Sequence, residues 1–338
     1  MKMKKPDGKS GTHNILILSI GRRIELIQRF KKARDELGVN GEIIVVDISE
    51  YAPGLYHGDK YYLVPKVCDR GYITALIDIC NNNSIDLIIP TIDTELPVLS
   101  DNKEKLEKLS NAKVLVSRKE VIEISRDKFK THRFFKDNEF DTPKVITEKD
   151  IENNEYKFPL FIKPFDGSSS KDTFKINNNK ELEFFRSYVS NPMIQEFLCG
   201  KEYTIDVFVD FEGNPITIVP RERLETRSGE VSKGIIIKDK SIITEVKRMI
   251  PLLRPIGPLT IQCIKDDKKN IKFIEINPRF GGGAPISVTA GADTPKYIYK
   301  LLMEEKLGYN EDYKENLVAL RYDQSVFLDD EGCVIKND

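Results

Sequence analysis

The run Phe273-Ile274-Glu275-Ile276-Asn277-Pro278-Arg279 alternates apolar and polar residues from Ile274 up to a proline, as a strand with one polar face does. Successive strand side chains point to opposite faces. Glu275 and Asn277 therefore project together, with Phe273 expected beside them, and Arg279 continues the line if the backbone stays extended past Pro278. A carboxylate next to an amide oxygen is a hard-oxygen pair suited to magnesium, which fills the rest of its shell with water and substrate phosphates. The preceding run, Ile264-Lys265-Asp266-Asp267-Lys268-Lys269-Asn270, reads as a polar hairpin turn between apolar strands. Folding it about Lys268-Lys269 sets Gln262 opposite Glu275, and a slip of one residue sends these side chains to the other face. On pattern alone two readings stay open: a metal site of Gln262, Glu275 and Asn277, or an edge hairpin whose polar residues face water.

Upstream, Ile162-Lys163-Pro164-Phe165-Asp166-Gly167-Ser168-Ser169-Ser170-Lys171 ends a strand on a lysine and enters a loop of small residues. Such a loop can turn backbone N–H groups and hydroxyls onto phosphate oxygens while the lysine supplies point charge. It is also an ordinary turn composition. Gln195-Glu196-Phe197-Leu198-Cys199-Gly200-Lys201-Glu202 then joins two strands as a hinge or a plain linker. Short β-type runs interspersed with a few helices make everything after Phe158 an α+β region with antiparallel sheets.

Before residue 120 the texture differs. Apolar strands at Asn14–Ile20, Glu42–Asp47, Asp86–Pro90 and Lys113–Val116 alternate with helical patterns near Arg23–Leu37, Ile73–Cys80 and Glu95–Leu109. That alternation predicts a parallel sheet covered by helices. A nicotinamide-binding reading fails at the first turn, Ser19-Ile20-Gly21-Arg22-Arg23, which lacks the further glycines a pyrophosphate requires. Asp47, at a strand end, is read as a cap or turn residue.

Composition narrows the function. At about 150 residues per domain, 338 residues suggest two or three domains. Lysine and arginine (53) nearly balance the acids (54), for a net charge of −1, which gives no global field for a nucleic acid. No apolar run approaches the ~20 residues of a membrane span, and the basic start leads into polar residues rather than a signal peptide's apolar core. Five scattered cysteines without a CxxC pair argue against a disulfide framework or zinc site and for the cytoplasm.

Taken in order, these segments resemble the ATP-grasp superfamily, and most closely an ATP-grasp half of the carbamoyl phosphate synthase large subunit and stand-alone carboxylate–amine ligases built the same way. The resemblance spans most of the chain: a parallel α/β domain, Asp127-Lys128, Ile162-Lys163-Pro164, the hinge and the Glu-x-Asn-Pro-Arg strand. It implies a Rossmann-like pre-ATP-grasp domain (residues 14–120, after a flexible tail 1–13), followed by the two-lobed fold, with a small lobe at 121–197 and a large lobe and C-terminal segment at 198–338. By position, Lys128 and Lys163 correspond to the phosphate-binding residues. Asp166–Lys171, including Gly167, Ser168, Ser169 and Ser170, corresponds to the flap. Glu196 and Leu198 correspond to the adenine hinge, and Glu202 to the ribose acid. Gln262, Glu275 and Asn277 correspond to the magnesium ligands, with Lys163 and Arg279 serving the transferred phosphoryl group.

The implied cofactors are ATP and Mg2+, for which Mn2+ is an acceptable substitute. The implied partners are a small-molecule carboxylate and an amine, with a homodimer allowed and no nucleic acid or membrane. The flap has a single glycine before its serines, where the synthase is richer in glycine. The chain also holds one such unit and no glutaminase, so carbamoyl phosphate synthesis by it alone is not expected. The arginine-rich run Pro220–Gly234 offers Arg221, Arg223 and Lys233 to an anionic acceptor, or is a solvated loop; Arg22 and Asp47 are weaker candidates for the same cleft. The expected reaction is ATP-dependent carboxylate–amine ligation through an acyl phosphate. A small-acid or carbamate kinase is the alternative, and a nucleotide sensor a further one.

Overall fold

The computed structural model describes residues 11–167 and 171–335. Residues 1–10 of the expected tail and Ser168, Ser169 and Ser170 of the expected flap lie outside the described residues. Two compact units are present.

The first unit runs to Val116 and also takes in Asp293–Tyr309 and residues 323–335. Its strands β1 (Asn14–Ile17), β2 (Ile43–Asp47), β3 (Lys60–Leu63), β4 (Ile85–Ile89) and β5 (Lys113–Val114) pair in parallel in the order β3-β2-β1-β4-β5. Ile15 to Leu18, Ile43 to Val46 and Leu87 to Ile89 are all 0% exposed, so the uninterrupted apolar runs belong to a sheet covered on both faces. The helix Ile24–Leu37 buries Leu26, Ile27, Phe30 and Ala33 and stops at Gly38, whose φ of 64° gives the left-handed cap. Thr12 bridges Asn40, just ahead of β1.

Three features differ from the sequence pattern. The single helix expected near Glu95–Leu109 is two, Leu96–Asp101 and Lys103–Ser110. They part at Asn102, whose backbone leaves helical geometry (φ −110°, ψ 9°) and whose side-chain amide also donates to the Val98 carbonyl (2.9 Å). Strand β3 is new; as an edge strand with exposed Tyr61 and Leu63 it carries no buried apolar run to announce it. The helix Thr294–Leu302 packs on Ile24–Leu37, with Tyr299 edge-on to Phe30 (centroids 6.2 Å apart) and Lys296 paired with Glu36.

The second unit is Ser117–Ala292 with Asn310–Tyr322. A three-stranded antiparallel sheet, β7-β6-β8, is built from β6 (Leu160–Pro164), β7 (Phe174–Ile176) and β8 (Pro192–Glu196). Leu160, Ile162, Ile176 and Ile194 form its core with Leu182 of the helix Asn179–Tyr188. Then come β9 (Lys201–Val209), β10 (Pro215–Arg227), β11 (Glu230–Ile236), β12 (Gly257–Lys265), β13 (Ile271–Asn277) and β14 (Val318–Leu320). Among the described residues they form a second antiparallel sheet in the order β13-β12-β9-β10-β11-β14. The arginine-rich run is therefore the hairpin β10–β11 and not a loop, turning at Ser228 (φ 51°) and Gly229 (φ 76°). Its charged outer residues hid the strand period. Among the described residues no helix is long and apolar enough to cross a membrane.

Candidate functional site

The hairpin β12–β13 pairs Gln262 with Glu275 and Thr260 with Asn277. The route to that register is not a symmetric fold about Lys268-Lys269. Nearer the turn, Lys265 faces Ile271 and Cys263 faces Phe273, and a register shift then leaves Ile274 as one extra residue on β13. The bulge also corrects the expected place of Phe273. It turns Phe273 (1% exposed) to the same side as Ile276 (0%), where it packs on Phe135 and Phe140 with centroids 5.6 and 5.8 Å away. Glu275 and Asn277 are left on the opposite face.

Directly paired residues share a face, so registers can be followed across the sheet. One row is Glu275–Gln262–Thr204–Arg221 and the next is Asn277–Thr260–Asp206–Val219. Ile264 pairs with Glu202, which places the expected ribose acid on the following row of that face. Arg279 is held just past the strand end. Its N–H donates to the Asn277 carbonyl (2.8 Å), its Nη1 to the Phe280 carbonyl (3.1 Å), and its own carbonyl accepts from Thr260 Oγ1 (3.4 Å).

From the small sheet, β6 carries Lys163, only 5% exposed. Burial pushes its ammonium down to about 8, against the pull of Glu275, while the charge on Lys128 lowers it further. The structure thus brings Lys163, Lys128 and Glu275 into one electrostatic neighbourhood. Asp127 caps the helix Lys128–Asp137 by accepting from the N–H groups of Phe129 and Lys130, which explains the Asp-Lys pair seen in sequence. Lys128 Nζ donates to the Gly167 carbonyl (2.5 Å) and to that of Phe165 (3.4 Å), tying the helix start to the end of β6.

At the hinge, the Glu196 carboxylate takes the Lys144 N–H (2.9 Å) and Lys272. Burial alone would raise it, but these partners hold it below the usual carboxylate range. Glu196 therefore already serves the protein with its side chain, and half-buried Leu198 follows it. Gly200 (φ 151°) crosses so close to β12 that a Cβ would stand 2.4 Å from the Lys265 carbonyl oxygen.

The three basic residues expected at the acceptor are not brought together. Arg223, nearly buried, donates to Glu202 (2.7 Å) and to the Gly229 carbonyl at the hairpin tip (2.8 Å). Arg221, 1% exposed, donates from Nη2 to Asp206 Oδ2 at 3.3 Å. Lys233 is the correction: it adjoins Gly234, the partner of Arg223, so strand alternation sends it to the other face, where it pairs with exposed Glu225 (2.7 Å). Asp47 is a turn acceptor for the N–H groups of Gly21 and Ile48, both at 2.8 Å.

Sequence reasoning missed Asp206, Thr260 and Ser287. All three are buried, and Ser287 Oγ donates to Asp206 Oδ2 (2.6 Å). The available signal was an acid inside the apolar strand Tyr203–Val209, where burial demands a partner. The glycines after Arg279 also find their reason here. A Cβ on Gly281 would stand 2.8 Å from Thr260 Oγ1, one on Gly282 2.6 Å from Glu230 Oε1, and one on Gly283 2.6 Å from Arg221 Nη2.

Two family models match the chain. Residues 125–283 match the family described as ATP-grasp domain, and residues 15–115 match that described as PylC-like, N-terminal domain. A carbamoyl-phosphate synthase from Methanobrevibacter smithii is 23% identical over 190 residues, which are 55% of this chain and 50% of that protein. This chain therefore aligns with half the length of that relative. A D-alanine–D-alanine ligase from Francisella tularensis subsp. novicida is 26% identical over 198 residues, 53% of this chain and 67% of the ligase. Among solved structures, the biotin carboxylase domain of Hydrogenobacter thermophilus 2-oxoglutarate carboxylase, in complex with MgADP, ADP and bicarbonate, superposes with a TM-score of 0.71 at 17% identity. That match covers 90% of this chain and 73% of the domain and shows a shared fold. The chain thus resembles the ATP-grasp proteins, with a match to a PylC-like N-terminal domain at residues 15–115 ahead of a match to an ATP-grasp domain at residues 125–283.

Proposed function

We propose that the chain is an ATP-dependent carboxylate–amine ligase that forms an acyl phosphate and releases ADP and phosphate. The observation that carries this reading is Glu275 paired with Gln262, with Asn277 on the same face and buried Lys163 within the field of Glu275. One carboxylate and two amide oxygens fit a hard dication whose remaining charge is met by phosphates, so Gln262, Glu275 and Asn277 would hold Mg2+. Bound there, the ion supplies neutralisation of phosphate charge. Lys163 and Lys128 attract the phosphates, Arg279 steadies the transferring group, and Glu196, Leu198 and Glu202 receive the nucleoside. With these groups fixed, a substrate carboxylate oxygen attacks the γ-phosphorus and ADP leaves. The amine nitrogen then attacks the acyl carbon, phosphate leaves and a proton departs from nitrogen. Positioning and electrostatics are all the protein has to provide.

Screening carboxylate and amine pools for ADP release, with mass spectrometry of the product, tests the assignment. ADP release that requires both a carboxylate and an amine, with an amide as product, is the expected result. ADP release from an acid alone, with a stable phosphorylated product, would instead identify a kinase.

Two further results follow from the site. Lys163 is protonated at pH 7 and loses its charge as pH rises through about 8, so affinity for an ATP analogue should fall between roughly pH 7.5 and 9. Lys163→Arg, whose guanidinium stays charged, should flatten that fall. Because the folded value lies below that of the unfolded chain, Lys163's contribution to stability rises with pH from about 8 to about 10.5, opposite in sign to the binding effect. Arg223 ties Glu202 to the hairpin tip, so Arg223→Ala should raise the ATP KM by about tenfold or more and the acceptor KM less. The reverse split in steady-state kinetics would return Arg223 to the acceptor.

A further inference from the structure

Strand β14 ends the large sheet, and its outer edge is unpaired among the described residues. Its pairing with β11 runs without a register shift, Val318 facing Ile235 and Leu320 facing Lys233. Bonds just beyond each end of the strand fix which groups point where. The Leu317 carbonyl accepts from the Ile236 N–H (3.0 Å), and the Arg321 N–H donates to the Ser232 carbonyl (2.9 Å). Alternate residues of an antiparallel strand turn their main-chain groups the same way. Leu317, Ala319 and Arg321 therefore address β11, and the N–H and C=O groups of Val318 and Leu320 point outward.

The side chains at those outward positions are apolar and uncovered. Val318 is 54% exposed, Leu320 68%, and Tyr322, two residues on, 81%. Sheet edges are ordinarily blunted by a lysine, a proline or a bulge, and β14 carries none of these. The charges nearby are already matched: Lys233 pairs with Glu225, and Arg321, on the opposite face, pairs with Glu230 (3.3 Å).

The edge is also its own complement. Turned end for end about Leu320, residues 318–322 set Val318 against Tyr322 and Leu320 against its own mate. Each outward N–H then meets a carbonyl, apolar side chains meet apolar ones, and Arg321 falls opposite Ala319 rather than another charge. A twofold contact of this kind closes on itself and leaves no β14 edge open in either copy. With a net charge of −1, two copies of the chain do not repel each other.

We propose that the outer edge of β14 is covered by a second copy of this chain, the two strands pairing antiparallel about a twofold axis at Leu320. The two large sheets become one continuous sheet. This interface stands independently of the ligase reading. A contact between such short strands lies at the small end of specific interfaces, so the dimer forms in a concentration-dependent way.

Sedimentation equilibrium of the full chain from about 1 to about 200 µM tests it. The mass should rise toward that of two chains. Leu320→Lys, which sets two ammonium groups face to face on the axis, should hold it at one chain throughout. Cross-linking then reads the register, in a background where the exposed Cys68, Cys199 and Cys333 are replaced by serine. Directly opposed residues have Cα atoms about 4.5–5.5 Å apart, within disulfide reach, so Leu320→Cys should give a covalent dimer under mild oxidation. Val318→Cys should not, because its own mate lies four residues along, roughly 13 Å away. A chain that stays monomeric at the highest concentration, a Leu320→Lys chain that still dimerises, or equal cross-linking at the two positions would overturn the interface. If Leu320→Lys misfolds, the cross-link decides the matter alone.

Discussion

Glu275→Gln should leave the fold unchanged and lower ATP turnover by roughly 10²- to 10³-fold, the loss expected when one preorganised group at a developing charge is removed. The substitution keeps shape and takes away the one formal charge among Gln262, Glu275 and Asn277. It also removes the acid that supports the charge on Lys163, so the fall in nucleotide affinity with pH should begin at lower pH than in the parent. Steady-state ADP production at several magnesium concentrations, with circular dichroism for the fold, measures both effects. Full turnover at ordinary magnesium would remove Glu275 from the metal site. Asn277→Ala and Gln262→Ala should raise the magnesium requirement in the same direction, non-additively if they share one ion.

Lys163→Met should do opposite things to stability and activity. In the parent, an ammonium is held at 5% exposure with a second cation, Lys128, acting on it. A buried ammonium whose proton is held less tightly in the folded chain than in the unfolded one costs stability while charged, and an apolar side chain of similar length removes that cost. The melting temperature at pH 7 should therefore stay level or rise, while affinity for an ATP analogue and turnover both collapse. Such a trade of stability for function marks a residue placed for a ligand. A lower melting temperature with turnover retained would make Lys163 a structural residue.

Much of the fold follows from patterns that need only neighbouring residues. Uniform apolar runs at Ile15–Leu18 and Ile43–Val46 require burial on both sides, and a parallel sheet is what provides it. Long-range effects were out of reach. Nothing around Tyr299 specifies that its helix returns to Phe30 in the first unit. The Gln262–Glu275 pairing came from counting back from the turn, yet it is reached through the bulge at Ile274, and the same bulge reverses Phe273. Position along a strand separated Lys233 from Arg221 and Arg223, but this became readable only once the run proved to be a hairpin.

In the proposed reaction ATP activates a carboxylate by phosphorylating it. With an acid–amine pair that drives ADP release, the acid is supplied with both carboxyl oxygens as 18O, and the released phosphate and amide are weighed by mass spectrometry. Attack of a carboxylate oxygen on the γ-phosphorus places that oxygen in the bridge, and amine attack on the acyl carbon then sends it out with phosphate. One 18O is expected in the phosphate and one in the amide. Unlabelled phosphate, or AMP in place of ADP, would contradict it.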